Sequence, residues 1–131
     1  MWIACVDGFF STVIDKMEPG RMLIRARCKR DVQNLYNRYR KACPSMRKPT
    51  GDETRDYRWR LSISKRDWVK LAAELASKVD YPNFKSAVHD RPDQDNKGRP
   101  YLEIWSIMHA LQLDSKTGQA RNPDDLTRER D

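Results

Sequence analysis

The sequence predicts an α+β fold, a two-layer sandwich in which a mostly antiparallel sheet of three or four strands carries helices on one face. Two kinds of periodicity support this class. Short segments alternate apolar and polar residues, as half-buried strands do, and longer segments repeat apolar residues every three or four positions, as amphipathic helices do. The elements follow the order β-β-α-β-α-α, for which one sheet covered by helices is the economical arrangement.

The first third of the chain is predicted to be extended. Residues 2–15 alternate as strands do and are interrupted by Asp7 and Gly8, a pair that is typical either of a tight hairpin turn or of a glycine bulge in one long strand. Residues 18–20, Glu-Pro-Gly, are a strong turn signal. The next strand is predicted over residues 22–28.

A helix over residues 30–43, a loop over 44–55 and a strand over 57–63 are predicted next. The helix is predicted from apolar residues that recur with a period near 3.6, and a proline after residue 43 ends it. Ser64 then resembles a helix N-cap, with Asp67 three residues later in the manner of a capping box.

The last predicted elements are a second long helix, ended near Pro82, a short helical turn over residues 84–89, and a third amphipathic helix to about residue 112. We expect residues 1–113 to form a single domain. Residues 114–131 contain one large apolar side chain and are predicted to be a disordered tail.

Arginines at every second position mark two of the predicted strands. Arg25 and Arg27 lie on one side of the first, and Arg58 and Arg60 on one side of the second, because successive side chains of a strand point to opposite faces. The opposite side of each strand is apolar, and in the second strand it includes Tyr57. If the strands share a sheet, the face without helices carries four guanidinium groups.

Positive charge is concentrated in the middle of the chain. Residues 21–66 hold fifteen Lys and Arg against four Asp and Glu, a net charge of +11, whereas the rest of the chain carries −4. Such a block attracts phosphate-rich or acidic partners more than an evenly spread charge would. The predicted helix over residues 30–43 contributes to it through Arg38 and Lys41.

Several other functions receive no support from the sequence. Cys5, Cys28 and Cys43 are odd in number and far apart, which favours free thiols in a reducing cytoplasm over disulfides or a zinc site. We predict no metal and no cofactor, and phosphate-binding glycine loops and common nucleophile motifs do not occur. No apolar run approaches the length of a membrane span, and we expect no membrane partner.

Five short motifs occur in one order along residues 2–108. They are Gly8-Phe9-Phe10-Ser11 after Trp2, Ile24-Arg25-Ala26-Arg27, Asp56-Tyr57-Arg58-Trp59-Arg60, Asp80-Tyr81-Pro82-Asn83-Phe84-Lys85, and Tyr101 followed by Trp105. This series resembles a family of small bacterial proteins without an established activity, in which valine stands at the position of Ile24. The resemblance implies a shared domain and strand register, and no activity, cofactor or partner.

These observations favour a non-enzymatic cytoplasmic module that binds nucleic acid through a basic sheet face and the adjoining helix. The predicted contact residues are Arg25, Arg27, Arg58 and Arg60, with Arg38 and Lys41 at the flank. Phe9 or Phe10, whichever points to the same face, would stack on a base.

The alternative is a protein-interaction module. It would be a homodimer, or a bacterial or phage regulator or inhibitor that binds an acidic partner. A third possibility is that the arginines have no ligand and instead pair with Asp56, Asp15 or Glu18, or cover apolar surface with their stems.

Overall fold

The structure, a computed structural model, describes residues 1–115 of the 131-residue chain. It divides into two compact units, Met1–Asp95 and Asn96–Asp131. The first unit contains the sheet, three α-helices and a 3-10 helix over Pro92–Gln94. The described part of the second unit is one helix, α4, over Gly98–Ser115.

The sheet of the first unit has five antiparallel strands in the order β1-β2-β3-β5-β4. Its strands are β1 (Trp2–Cys5), β2 (Gly8–Ile14), β3 (Arg21–Ala26), β4 (Thr50–Gly51) and β5 (Trp59–Ser64). The α+β class with an antiparallel sheet is therefore confirmed, with five strands where the sequence predicted three or four.

Helices α1 (Lys29–Tyr39) and α2 (Lys65–Ser77) pack on one face of this sheet, and α3 (Phe84–His89) follows them. The core lies between the two layers. Its fully buried sheet residues include Ile24 of β3 and Leu61 of β5, and Val32 and Leu35 of α1 meet them from the helix side. The opposite sheet face, which we call the outer face, carries the residues that alternate with these.

Val6 and Asp7 form a two-residue turn between β1 and β2, and Gly8 begins β2, so the hairpin alternative is correct, with Cys5 opposite Gly8 in the register. Gly8 has φ +147°, a conformation that side chains disfavour. A Cβ at this position would also lie 2.7 Å from Cγ of Asp31 and 2.9 Å from the Phe10 ring. Glycine is required here on both grounds.

Helix α2 begins with the predicted cap. The Ser64 side chain accepts a hydrogen bond from the backbone N–H of Asp67 at 3.1 Å. The Asp67 carboxylate does not reach back to Ser64 N–H as a capping box requires. It accepts instead from the N–H and hydroxyl of Ser45, and the Ser45 hydroxyl accepts from Ser64 N–H. Ser45 thus joins the loop after α1 to the start of α2.

The short edge strand β4 lies inside the segment that the sequence predicted to be loop. It pairs with β5 so that Gly51 is opposite Trp59, whose ring lies against the glycine. Helix α4 extends to Ser115, a little beyond the predicted end. The single domain over residues 1–113 stays a prediction, as does the disordered tail over 114–131, of which residues 116–131 lie outside the described part of the chain.

Within the described residues, none of the helices combines the length and the apolarity needed to cross a bilayer.

Candidate nucleic-acid interface on the outer sheet face

The strand register places one row of side chains across the outer face. Trp2 pairs with Ser11, Ser11 with Arg25, and Arg25 with Arg60, so these four residues lie side by side on β1, β2, β3 and β5. Neighbouring strands are about 4.8 Å apart. The predicted arrangement of Arg25 and Arg60 on adjacent strands, opposite the buried residues of the core, is therefore present in the structure.

Arg25 is held from two sides by neutral groups. Its Nη2 donates to the Ser11 hydroxyl at 2.8 Å, and its Cζ lies 4.7 Å from the centre of the Tyr57 ring. Its Nε is buried and has no hydrogen-bond partner in the structure. Among the described residues no carboxylate pairs with Arg25, so its charge is not neutralised locally.

Arg60 lies directly opposite Arg25. Its Nε donates to the backbone carbonyl of Tyr57 at 3.4 Å, and no carboxylate within residues 1–115 forms an ion pair with it. Like charges that are directly opposite each other on antiparallel strands repel and destabilise the pair. The sheet therefore tolerates an unfavourable cation pair at this point.

These two arginines border a shallow cavity of about 310 Å³ on the outer face, which we call the arginine groove. It is lined by Val13, Ile14, Asp15, Lys16, Met17, Leu23, Arg25, Arg55 and Arg60. Four of its nine residues are basic and one is acidic. Arg55, in the loop before β5, is paired with Asp52 at 3.5 Å. The groove thus presents cations above the apolar side chains of β2 and β3.

Lys16 and Arg55 were missed by the sequence argument, which selected only alternating arginines within strands. Lys16 belongs to the turn after β2, and Arg55 to the loop before β5. The available signal was their position in the connections that flank the two arginine-bearing strands.

Arg27 and Arg58, the other predicted contact residues of the strands, lie at the strand ends and are exposed. Arg27 Nη1 donates to the Asp56 carbonyl at 2.7 Å. Arg58 Nη2 forms a 3.3 Å ion pair with Glu53, and both side chains are solvated, so this pair contributes little stability. Neither residue lines the arginine groove.

Tyr57 corrects one expectation about the second arginine strand. The sequence placed it on the apolar side with Trp59, Leu61 and Ile63, but it precedes β5, and its buried ring lies against the guanidinium groups of Arg25 and Arg27. The distance from Arg27 Cζ to the ring centre is 4.0 Å. A cation over an aromatic face is attracted to it, so Tyr57 orients both arginines.

The two predicted flanking residues differ in their surroundings. Lys41 is exposed in the turn that follows α1. Arg38 Nη1 donates to Asp7 Oδ1 at 2.6 Å and its Nη2 to Asp93 Oδ2 at 3.0 Å. Arg38 is therefore engaged by two carboxylates and is not part of the arginine groove.

Asp7 is the centre of a second group of charges, the Asp7 cluster, which the sequence argument missed. Only 1% of this residue is exposed. It accepts hydrogen bonds from Arg38, Lys78, Arg91 and the Tyr39 hydroxyl, at 2.6, 3.1, 3.2 and 3.2 Å. Burial raises the pKa of Tyr39, which keeps the phenol protonated as a donor. The cluster fastens the β1–β2 turn to α1, to the end of α2 and to the segment after α3.

The described part of the chain, residues 1–115, contains three cysteines and scattered potential metal ligands. No group of three or more His, Cys, Asp or Glu residues there is arranged to hold a metal ion. The three cysteines are free, and burial raises the pKa of Cys5 and Cys43, so these thiols are poor nucleophiles at neutral pH.

Comparison of the chain with known protein families, with curated proteins and with solved structures found no match in any of the three. The resemblance to the bacterial family with the five motifs therefore stays a prediction.

Proposed function

We propose that this protein is a non-enzymatic cytoplasmic module that binds nucleic acid through the phosphate backbone, with the arginine groove as its principal contact. The observation that carries the proposal is the relationship between Arg25 and Arg60. They are directly opposite on neighbouring strands, and neither has a carboxylate partner within the described residues. A bound polyanion would remove the repulsion between them.

The chemistry of arginine suits this ligand. Its planar fork of donors matches the oxygens of a phosphate in pairs, and its weak hydration lowers the cost of leaving water. Arg55 and Lys16 add two further cations to the same groove. Several cations in one groove would follow successive phosphates of a backbone, with release of the counterions that those phosphates hold.

The surroundings of the arginines also favour binding. Arg25 is fixed by the Ser11 hydroxyl and by the Tyr57 ring, and Arg60 by the Tyr57 carbonyl. Side chains that are already ordered lose less conformational entropy when a ligand binds. Because all of these anchors are neutral, the cations are positioned without being neutralised.

The test is binding of a fluorescein-labelled oligonucleotide, followed by anisotropy over a series of salt concentrations. The wild-type protein should bind at low salt, and its association constant should fall steeply as salt rises. The double variant Arg25→Gln, Arg60→Gln removes two cations from the groove. The slope of log K against log salt should then become less negative by about 1.4 to 1.8, the value for two lost phosphate contacts.

A matched control removes the same charge elsewhere. Arg66 on α2 and Arg99 on α4 are exposed arginines outside the groove. The double variant Arg66→Gln, Arg99→Gln should keep nearly the wild-type slope. Equal losses in the two double variants would mean that net charge alone attracts the oligonucleotide, and the groove proposal would be rejected.

A second candidate, an acidic protein partner, is favoured by one observation about the same groove. Met17 is 91% exposed at its rim. Large exposed apolar side chains beside cations are common where proteins meet. Under this alternative Met17→Ser would weaken partner binding, whereas oligonucleotide binding by the wild-type protein would be absent or insensitive to the two arginines.

A further inference from the structure

The outer face carries aromatic side chains next to its arginines. Trp2 is 72% exposed, and its ring meets that of Phe9 edge to face, with centroids 5.8 Å apart at 65°. Phe10 is fully buried in the core, so Phe9 is the phenylalanine on the outer face. Ile3 and Cys5, which alternate with Trp2 along β1, pack against the core, so the Trp2 ring belongs to the outer face as well.

The strand register relates these rings to the cations. Trp2 is opposite Ser11, and Ser11 is opposite Arg25, which is in turn opposite Arg60. With about 4.8 Å between neighbouring strands, the row from Trp2 to Arg60 spans roughly 14 Å of backbone. A short oligonucleotide on this face can therefore contact the tryptophan and both arginines at once.

Nothing bulky on β1 obstructs the tryptophan. Ala4, the other residue of β1 that points outward, is exposed and lies opposite Phe9. The Trp2 and Phe9 rings meet edge to face, and Trp2 remains 72% exposed. Trp2 thus offers a large exposed aromatic surface next to a neighbouring ring, beside a groove in which Arg25 and Arg60 have no carboxylate partner within residues 1–115.

From this arrangement we infer that the ligand of the outer face is single-stranded nucleic acid, with an unpaired base stacked on Trp2 and the neighbouring phosphates on Arg25 and Arg60. This inference rests on the proposed function and adds the strandedness of the ligand. Bases of a duplex are stacked on one another and cannot place a face on an aromatic side chain. Single-strand binders combine a basic groove with such stacking surfaces.

The experiment compares three labelled probes of equal length at low salt: oligo(dT), oligo(U) and a DNA duplex. The wild-type protein should bind a single strand more tightly than the duplex. The comparison of oligo(dT) with oligo(U) distinguishes a preference for DNA from a preference for RNA. The inference is supported if either single strand binds more tightly than the duplex does.

The tryptophan is tested with two substitutions and a matched control. Trp2→Leu keeps an apolar side chain but removes the aromatic face, and should weaken single-strand binding about 5- to 150-fold, with little effect on the duplex. Trp2→Phe should restore most of the loss. Trp105→Leu changes another exposed tryptophan, on α4, and should leave the affinity unchanged.

The two proposals fail in distinguishable ways. If the duplex binds as tightly as the single strands, or if Trp2→Leu binds them as the wild type does, the single-strand inference is overturned while the Arg25 and Arg60 variants still test the phosphate groove. If the wild-type protein binds none of the probes at low salt, both proposals are overturned. Because Trp2 is exposed, thermal unfolding should show that Trp2→Leu remains folded.

Discussion

Arg38 donates a 2.6 Å hydrogen bond to Asp7, whose side chain is almost completely buried in the turn between β1 and β2. The two residues are 31 positions apart in the chain. Lys78 and Arg91 complete the shell of cations, and all three remain partly exposed. A buried carboxylate is tolerable when it is paired in this way. The contact gives Arg38 a structural role within the Asp7 cluster.

The first prediction concerns Asp7→Asn, which keeps the shape of the side chain and removes its charge. Charge-assisted hydrogen bonds from Arg38, Lys78 and Arg91 are weakened, while water can still solvate the exposed parts of these cations. We expect the free energy of unfolding to fall by about 2–4 kcal/mol. Urea denaturation at neutral pH measures the change.

The control for this prediction is Asp95→Asn, which removes the partner of Arg30 from an exposed ion pair. Such a pair contributes about 0–1 kcal/mol. If the two variants lose the same small amount of stability, the cluster is not a significant anchor of the fold.

Local sequence patterns located the outward-facing arginines and one helix cap, but not the buried charge cluster. Alternation within β3 and β5 identified the outward positions of Arg25 and Arg60, because a strand has a fixed period of two. The N-cap at Ser64 was also identified locally, because the donor that it accepts from is only three residues later in the chain. Asp7 could not be found in this way, since its partner Arg91 is 84 residues distant and only the tertiary fold brings them together.

Strand β4 and the position of the Tyr57 ring depend on tertiary contacts that a local sequence pattern does not show. Strand β4 has only two residues, Thr50 and Gly51, too few to show alternation, and it forms because β5 offers a partner. Tyr57 looks like a member of β5 in the alternating pattern, but the strand begins at Trp59. Its ring lies against the guanidinium groups of Arg25 and Arg27, a contact that depends on the tertiary fold.

The second prediction concerns acid. Hydrogen bonds from the Ser45 hydroxyl and backbone N–H hold the pKa of Asp67 below its ordinary value. An unfolded aspartate titrates near about 3.9. A carboxyl with a lower pKa in the folded state stabilises the protein fully above that value, and the stabilisation is lost as pH falls through the folded pKa.

We therefore expect Asp67→Asn to reduce the loss of stability between about pH 5 and about pH 2, relative to wild type. Hydrogen bonds from partner side chains also lower the pKa of Glu18 and Asp52, and these contribute equally to both proteins. The measurement is the free energy of unfolding at a series of pH values. An unchanged acid slope in Asp67→Asn would show that the contacts with Ser45 do not favour the ionised carboxylate.

The third prediction compares two glycines with positive φ. Gly8→Ala combines an unfavourable φ of +147° with contacts of 2.7 to 2.9 Å to Asp31 and the Phe10 ring. At Gly20, φ is +87° and no atom would lie within 4 Å of a new Cβ. We expect Gly20→Ala to cost about 1–2 kcal/mol from backbone strain alone, and Gly8→Ala to cost more.

Thermal unfolding of both variants under one condition is sufficient to rank them. The loss at Gly20 measures backbone strain without steric contacts, and the excess loss at Gly8 reports its different φ together with the tight packing at the β1–β2 turn. Equal losses of stability would mean that the turn relaxes to accommodate a methyl group and that its close contact with Asp31 is not a constraint.

The last prediction separates stability from binding at Arg60. Because Arg25 and Arg60 are directly opposite and lack carboxylate partners within residues 1–115, Arg60→Gln relieves a repulsion. We expect the free energy of unfolding to be unchanged or higher by up to about 1 kcal/mol at low salt. Salt screens the repulsion, so the difference should shrink at high ionic strength. Oligonucleotide affinity should fall in the same variant.

Arg60→Lys provides the matched control, since it keeps the charge and loses the guanidinium fork. Its stability should equal that of wild type at every salt concentration. If Arg60→Gln is instead destabilised by more than about 1 kcal/mol at both low and high salt, the side chain stabilises the fold through its stem and its bond to the Tyr57 carbonyl. Arg60 would then stabilise the folded protein, and the repulsion between Arg25 and Arg60 would no longer support the binding of an anion.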